Sequence, residues 1–102
     1  MMKTAVLYCS PTCYNCIEME ENMSAVGMKW IHADITKIHW RTEAGKAHVQ
    51  SFPTLVFYGT KENGKMFPVD THVGLLPVRR IKEIYNPAED YYRQELPKEK
   101  KT

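Results

Sequence analysis

The 102-residue sequence predicts an α/β domain whose elements run β-α-β-α-β-β-α. Three observations carry that expectation. Two short apolar runs, Thr4–Tyr8 and Thr54–Tyr58, barely alternate with polar residues, as strands buried on both faces do. Segments with near-helical spacing of apolar residues lie between and after them. Finally, Glu62-Asn63-Gly64-Lys65 is a hairpin signal, because Asn-Gly accepts the positive φ angles of a tight turn.

In chain order, Thr4–Tyr8 (TAVLY) is the first strand, stopped by Ser10-Pro11. Cys13 to about Ala25 is expected to be helical, with Ile17, Met19 and Met23 on its apolar side and Val26-Gly27 as its stop. Lys29–Ile35 (KWIHADI) forms the second strand, and Ile38–His48 the second helix, capped by Thr36 and weakened by Gly45. Val49–Phe52 leads into Pro53 and the strand Thr54–Tyr58, the strongest in the chain. Met66–Val69 returns from the hairpin, and Leu76–Tyr85 closes the domain as a helix with Pro77 in its first turn. Residues 1–86 thus form one domain. Residues 87–102 shift to Glu, Asp, Tyr, Arg and Lys: a polar helix over Ala88–Leu96, which Tyr91 and Tyr92 can anchor, and a partly disordered tail from Pro97.

The bulk numbers exclude several function classes. A chain of this length has room for one core, and 43% hydrophobic with 25% charged residues is an ordinary globular composition. The net charge of +2, concentrated in Lys98, Lys100 and Lys101, gives no reason to expect nucleic acid. No run approaches the ~18 apolar residues of a membrane span, and the apolar stretch after Lys3-Thr4 is too short for a signal-peptide core. The expected location is therefore cytoplasmic, where clustered cysteines are catalytic or metal-binding more often than structural.

All three cysteines lie within Cys9-Ser-Pro-Thr-Cys13-Tyr-Asn-Cys16. One parsing is a metal or iron–sulfur site using Cys9, Cys13 and Cys16. That spacing is the one used by radical S-adenosylmethionine enzymes, but those are much larger barrels and favour an aromatic residue where this chain has Asn15. A simpler site needs a fourth ligand from His32, His39, His48 or His72, and none of these follows a ligand spacing. The other parsing is a redox pair, Cys13 and Cys16. A thiol at a helix N-terminus faces unpaired backbone N–H groups, which favour the thiolate. Cys16, one turn on, can attack a mixed disulfide from behind. The pair is the better-supported parsing.

Beyond the pair itself, Val-Leu-Tyr-Cys9-Ser-Pro-Thr-Cys13-Tyr-Asn-Cys16 resembles the active-site entry of the thioredoxin superfamily, with glutaredoxin-like phrasing. Val49-Gln-Ser-Phe-Pro53-Thr-Leu-Val resembles the thioredoxin segment that contains a cis-proline, and Val73-Gly74 with the following helix resembles its C-terminal part. The likeness spans about Thr4–Tyr85. It implies a thioredoxin-like fold: a central mixed four-stranded sheet flanked by helices. It also implies thiol–disulfide oxidoreductase activity with no cofactor and no resident metal. Cys13 and Cys16 would be catalytic, and Tyr14, Phe52, Pro53 and Thr54 would bind substrate, the main chain of Phe52 and Thr54 pairing with an extended client. The implied partners are thioredoxin reductase or a similar reductant and disulfide-containing client proteins, ribonucleotide reductase among them. Two departures matter. The buried aspartate that serves thioredoxins as a proton relay falls at about Leu7, and Thr71–Leu75 lacks the second glycine and the aspartate with which glutaredoxins hold glutathione. The alternatives are a non-catalytic adaptor on the same fold and the three-cysteine metal site.

The remaining chemical residues have structural readings. Cys9 is expected to be a small buried hydrophobe, or else a third thiol able to form a regulatory disulfide. Met19, Met23, Met28, Trp30 and Trp40 are expected in or near the core, and Glu18, Glu20 and Glu21 on a solvated helix face.

Overall fold

The computed structural model describes residues 3–85. Its elements are β1 (Lys3–Cys9), α1 (Tyr14–Val26), β2 (Ile31–Asp34), α2 (Ile38–Lys46), β3 (Thr54–Thr60), β4 (Met66–Val73) and α3 (Val78–Ile84). The domain boundary at 86, the expected Ala88–Leu96 helix and the tail lie outside the described residues.

The four strands form one mixed sheet in the order β2-β1-β3-β4, with β1 parallel to β2 and β3 antiparallel to β1 and β4. Side chains of β1 alternate between two cores, as the two-residue period of a strand requires. Ala5, Leu7 and Cys9 enter one, with Cys16, Met19 and Met23 of α1, Leu55 and Phe57 of β3, and Ile81 of α3. Val6 and Tyr8 enter the other, with Ala33, Ala44, Val56 and Tyr58. There the Tyr8 and Tyr58 hydroxyls share a 2.6 Å hydrogen bond, and Trp40 packs edge-on against Tyr8. As expected, β1 is enclosed on both faces, Met19, Met23 and Met28 are buried, and both tryptophans pack against the cores.

Element boundaries differ from expectation for identifiable reasons. α1 begins one residue later, at Tyr14, because Cys13 is its N-cap; Gly27, at φ 80°, ends it with its N–H on Met23 and Ser24 carbonyls. Its buried face is Cys16-Met19-Met23, and Ile17, expected on that face, is exposed. β2 is shorter than Lys29–Ile35, since the chain leaving Gly27 reaches the ladder only at Ile31. Thr36 does not cap α2: Lys37 is the N-cap, while the Thr36 N–H and hydroxyl both go to Asp34 Oδ1. α2 ends at Lys46 rather than His48, just past Gly45, and His48 takes φ 59°.

β4 extends past Val69 to Val73, because edge-strand pairing with Thr54–Phe57 needs no continuous apolar pattern. The ladder is irregular between Phe57 and Tyr58, next to Pro68, and proline at an edge strand discourages further pairing. α3 starts at Val78, with Pro77 as N-cap rather than inside the first turn. Leu76 ahead of it is tied to α1: its carbonyl accepts from Asn22 Nδ2 at 2.9 Å, and its N–H meets Met19 Sδ at 3.4 Å. Among the described residues, no helix is long and apolar enough to cross a membrane.

Leu7 is fully buried where α1, α3 and β3 meet. Leu7→Ala should therefore lower unfolding free energy by about 2–5 kcal/mol in urea titration, whereas Ile38→Ala, at a 72% exposed position, should stay within about 0.5 kcal/mol.

Candidate active site

The site begins where β1 stops. Cys9 is the last ladder residue, paired with Asp34, and its carbonyl accepts the Ile35 N–H at 3.0 Å. A turn over Ser10–Thr12 follows, closed by the Cys13 N–H on the Ser10 carbonyl at 3.0 Å and braced by the Ser10 and Thr12 hydroxyls at 3.1 Å. Cys13 then takes the position usually held by Ser, Thr or Asp before a helix. Its Sγ accepts the Cys16 N–H at 3.2 Å, a first-turn donor that the Cys13 carbonyl also accepts at 3.2 Å, so sulfur and carbonyl share it.

The three thiols differ in exposure. Cys13 is half-buried, whereas Cys9 and Cys16 are each 3% exposed. Burial pushes Cys16 up to about 11; its hydrogen bond with Cys13 adds to the shift, while contacts with Cys9 and the Ser10 backbone oppose it. Burial also raises Cys9, followed by its hydrogen bond to Cys16. Cys9 is thus the buried residue expected, and it also touches the pair.

A second segment reaches the same end of the sheet. Thr54 pairs with Tyr8, so the bend over Ser51–Pro53 lies level with Cys9. The Phe52–Pro53 peptide is cis and Pro53 is buried, its carbonyl accepting the N–H of Gly74, which turns at φ 96°. Phe52 packs against both cores, and among the described residues no hydrogen bond engages its main-chain N–H or C=O. Thr54 does not share that freedom. It is 1% exposed, sits in the ladder between Tyr8 and Val73, and donates its hydroxyl to the Ser51 carbonyl. Of the two residues expected to pair with a client, Thr54 thus lies inside the ladder, and Phe52 is the one whose main chain is unengaged among the described residues. Tyr14 is 82% exposed, and Asn15 beside it is also exposed.

A cavity of about 160 Å³ opens beside the thiols, lined by Cys9, Cys13, Cys16, Glu20, His32 and Asp34 among others. Leu7 is fully buried, and the buried polar residues described are Thr4 and Thr54, so no carboxylate lies in the described core. Asp34 is half-buried at the cavity wall, and two donor groups of Thr36 hold its carboxyl below the usual range. Glu20 departs from the solvated face expected for it. It turns toward β2, its Oε2 3.5 Å from His32 Nε2. Sequence reasoning missed this convergence, although the parallel pairing of β1 with β2, which sets Leu7 opposite His32, would have exposed it.

No protein-family model matches the sequence, and no curated protein does. Solved structures do match. A thioredoxin-like protein from Clostridium perfringens superposes with a TM-score of 0.64 at 25% identity, covering 81% of this chain and 68% of that one. Deadhead, a germline-specific thioredoxin of Drosophila melanogaster, gives 0.63 at 17% identity, covering 81% and 77%. A thioredoxin from Thermus thermophilus gives 0.60 at 18% identity, covering 80% and 69%. The shared property is the fold, which is that of the thioredoxin superfamily.

The exposure difference predicts an order of reactivity. On brief treatment of the reduced protein with iodoacetamide, peptide mass spectrometry should find Cys13 alkylated at least about tenfold faster than Cys9 or Cys16. Comparable labelling of all three would contradict the geometry.

Proposed function

We propose that this chain, which has the thioredoxin fold, is a thiol–disulfide oxidoreductase that reduces protein disulfides through Cys13-Tyr14-Asn15-Cys16. The observation that carries this reading is the asymmetry of the pair: Cys13 caps the helix, reachable and hydrogen-bonded by the Cys16 N–H, while Cys16 is buried one turn behind it. In the first step the Cys13 thiolate attacks one sulfur of a client disulfide. A Cys13–client disulfide forms, and the client's other sulfur leaves as thiolate and takes a proton from solvent. In the second step Cys16 loses its proton to solvent and attacks Cys13 Sγ. The intramolecular disulfide forms and the second client sulfur departs. Two electrons pass to the client, and a reductant of the thioredoxin reductase type returns them to the pair.

The unengaged main chain of Phe52, next to buried Pro53, is the edge on which an extended client strand docks, and exposed Tyr14 follows the nucleophile as a further contact. Exposed Ile17, 60% accessible on the first turns of α1, adds apolar surface suited to a protein client. Disulfide-containing proteins, with ribonucleotide reductase as one class, are the proposed substrates, and the cytoplasm the proposed setting.

Insulin disulfide reduction with a dithiol reductant tests this reading directly. Cys13→Ser should remove activity to background; equal turnover by wild type and Cys13→Ser would sink the catalytic reading and favour an adaptor role. The raised Cys16 value adds a pH signature. Because burial makes its thiolate scarce at neutrality, release of the Cys13–client disulfide should accelerate by about tenfold per pH unit between pH 7 and 9. Single-turnover decay of the mixed disulfide between pH 7 and 9 measures it, and a flat profile would contradict the buried resolving thiol.

A further inference from the structure

Cys9, Glu20 and His32 come from three different elements: the end of β1, the second turn of α1, and β2. One potential ligand atom from each, a thiol sulfur, a carboxylate oxygen and an imidazole nitrogen, lies within 4.8 Å of the others. All three residues border the 160 Å³ cavity, room for several waters at about 30 Å³ each.

The ordinary readings of these residues do not account for their convergence. A half-exposed His–Glu contact at 3.5 Å holds little of a fold together and gives no reason for a thiol to lie beside it. A buried cysteine that only fills space gives no reason for an imidazole and a carboxylate to converge at its side.

We propose that Cys9, Glu20 and His32 form a binding site for a borderline divalent cation of the zinc class, beside the dithiol pair but not made from it. The donor set is of the kind zinc takes, sulfur, nitrogen and oxygen, and three protein ligands leave a fourth position facing the cavity for water. Bond lengths of about 2.0–2.3 Å place tetrahedral ligands roughly 3.3–3.8 Å apart, so the donors must close by only about an ångström. Cys9 is fixed in its strand, and the movement falls to Glu20 and His32, whose side chains are 36% and 49% exposed. Charge balances as well. Binding releases the Cys9 proton, and the thiolate and the Glu20 carboxylate neutralise the dication, with His32 coordinating through a ring nitrogen. The site does not depend on disulfide exchange.

The test is anaerobic titration of the reduced full-length chain with Co²⁺, followed by displacement with Zn²⁺. One equivalent of Co²⁺ should produce a sulfur-to-cobalt charge-transfer band, which Zn²⁺ removes. Cys9→Ala should lose the band, and His32→Ala and Glu20→Gln should each weaken binding by at least about tenfold. The double variant Cys13→Ser/Cys16→Ser should retain both band and stoichiometry. Loss in that variant with retention in Cys9→Ala would move the cation onto the redox pair and overturn the proposal. So would equal affinity of wild type, His32→Ala and Glu20→Gln. Both of those positions are partly exposed, so they decide the matter even if Cys9→Ala fails to fold. The readout contains no disulfide substrate, so a failed titration leaves the exchange reading standing, and a failed exchange assay leaves this one standing.

Discussion

The enclosure of β1 is the constraint on which the site depends. Ala5, Val6, Leu7 and Tyr8 are each at most 2% exposed, and β1 is hydrogen-bonded on both edges, to β2 and to β3. Each large side chain buried this fully contributes about 1.5–3 kcal/mol, so displacing the strand would consume much of a small domain's stability of roughly 5–15 kcal/mol. The position of Cys9 is thereby fixed. Only Ser10, Pro11 and Thr12 separate it from Cys13, and that turn is closed by its own hydrogen bonds. The core, acting through one strand and one short turn, sets where the helix begins and so where the sulfurs lie.

From that placement the chemistry follows. Cys13 stands at the boundary with solvent, and Cys16 and Cys9 stand behind it within the core that Met19, Leu55 and Ile81 share. Burial, first among several causes, makes the rear thiols reluctant to ionise, and the helix N-terminus directs a donor at the front one. The second half of the site is held by the same sheet. Thr54 is locked between Tyr8 and Val73, and Gly74 holds the Pro53 carbonyl, which leaves the main chain of Phe52 unengaged among the described residues.

How much of this was legible in the sequence depended on how local each signal is. TAVLY and TLVFY declared β1 and β3 because strands buried on both faces need continuous apolar character. The placement of Cys13 and Cys16 at a helix start was legible because strand, turn and helix start are contiguous. Details set by tertiary contact were not. Cys16, not Ile17, faces inward, because α1 packs on the face of the sheet that carries Leu7 and Leu55. Thr36 is drawn from the helix cap to Asp34, and β4 runs on through polar Asp70-Thr71-His72 because pairing with β3 replaces an apolar pattern. The convergence of Cys9, Glu20 and His32 was the least visible feature. It joins residues far apart in the chain through a crossover, and no linear spacing encodes it.

The central claim is that Cys13 and Cys16, and not Cys9, form the working pair. It is tested most directly by oxidising the reduced protein with one equivalent of a two-electron disulfide oxidant and mapping the bond by non-reducing peptide mass spectrometry. The account predicts an intramolecular Cys13–Cys16 disulfide with Cys9 recovered as a free thiol. A dominant Cys9–Cys16 or Cys9–Cys13 bond, or disulfide-linked dimers in its place, would contradict it.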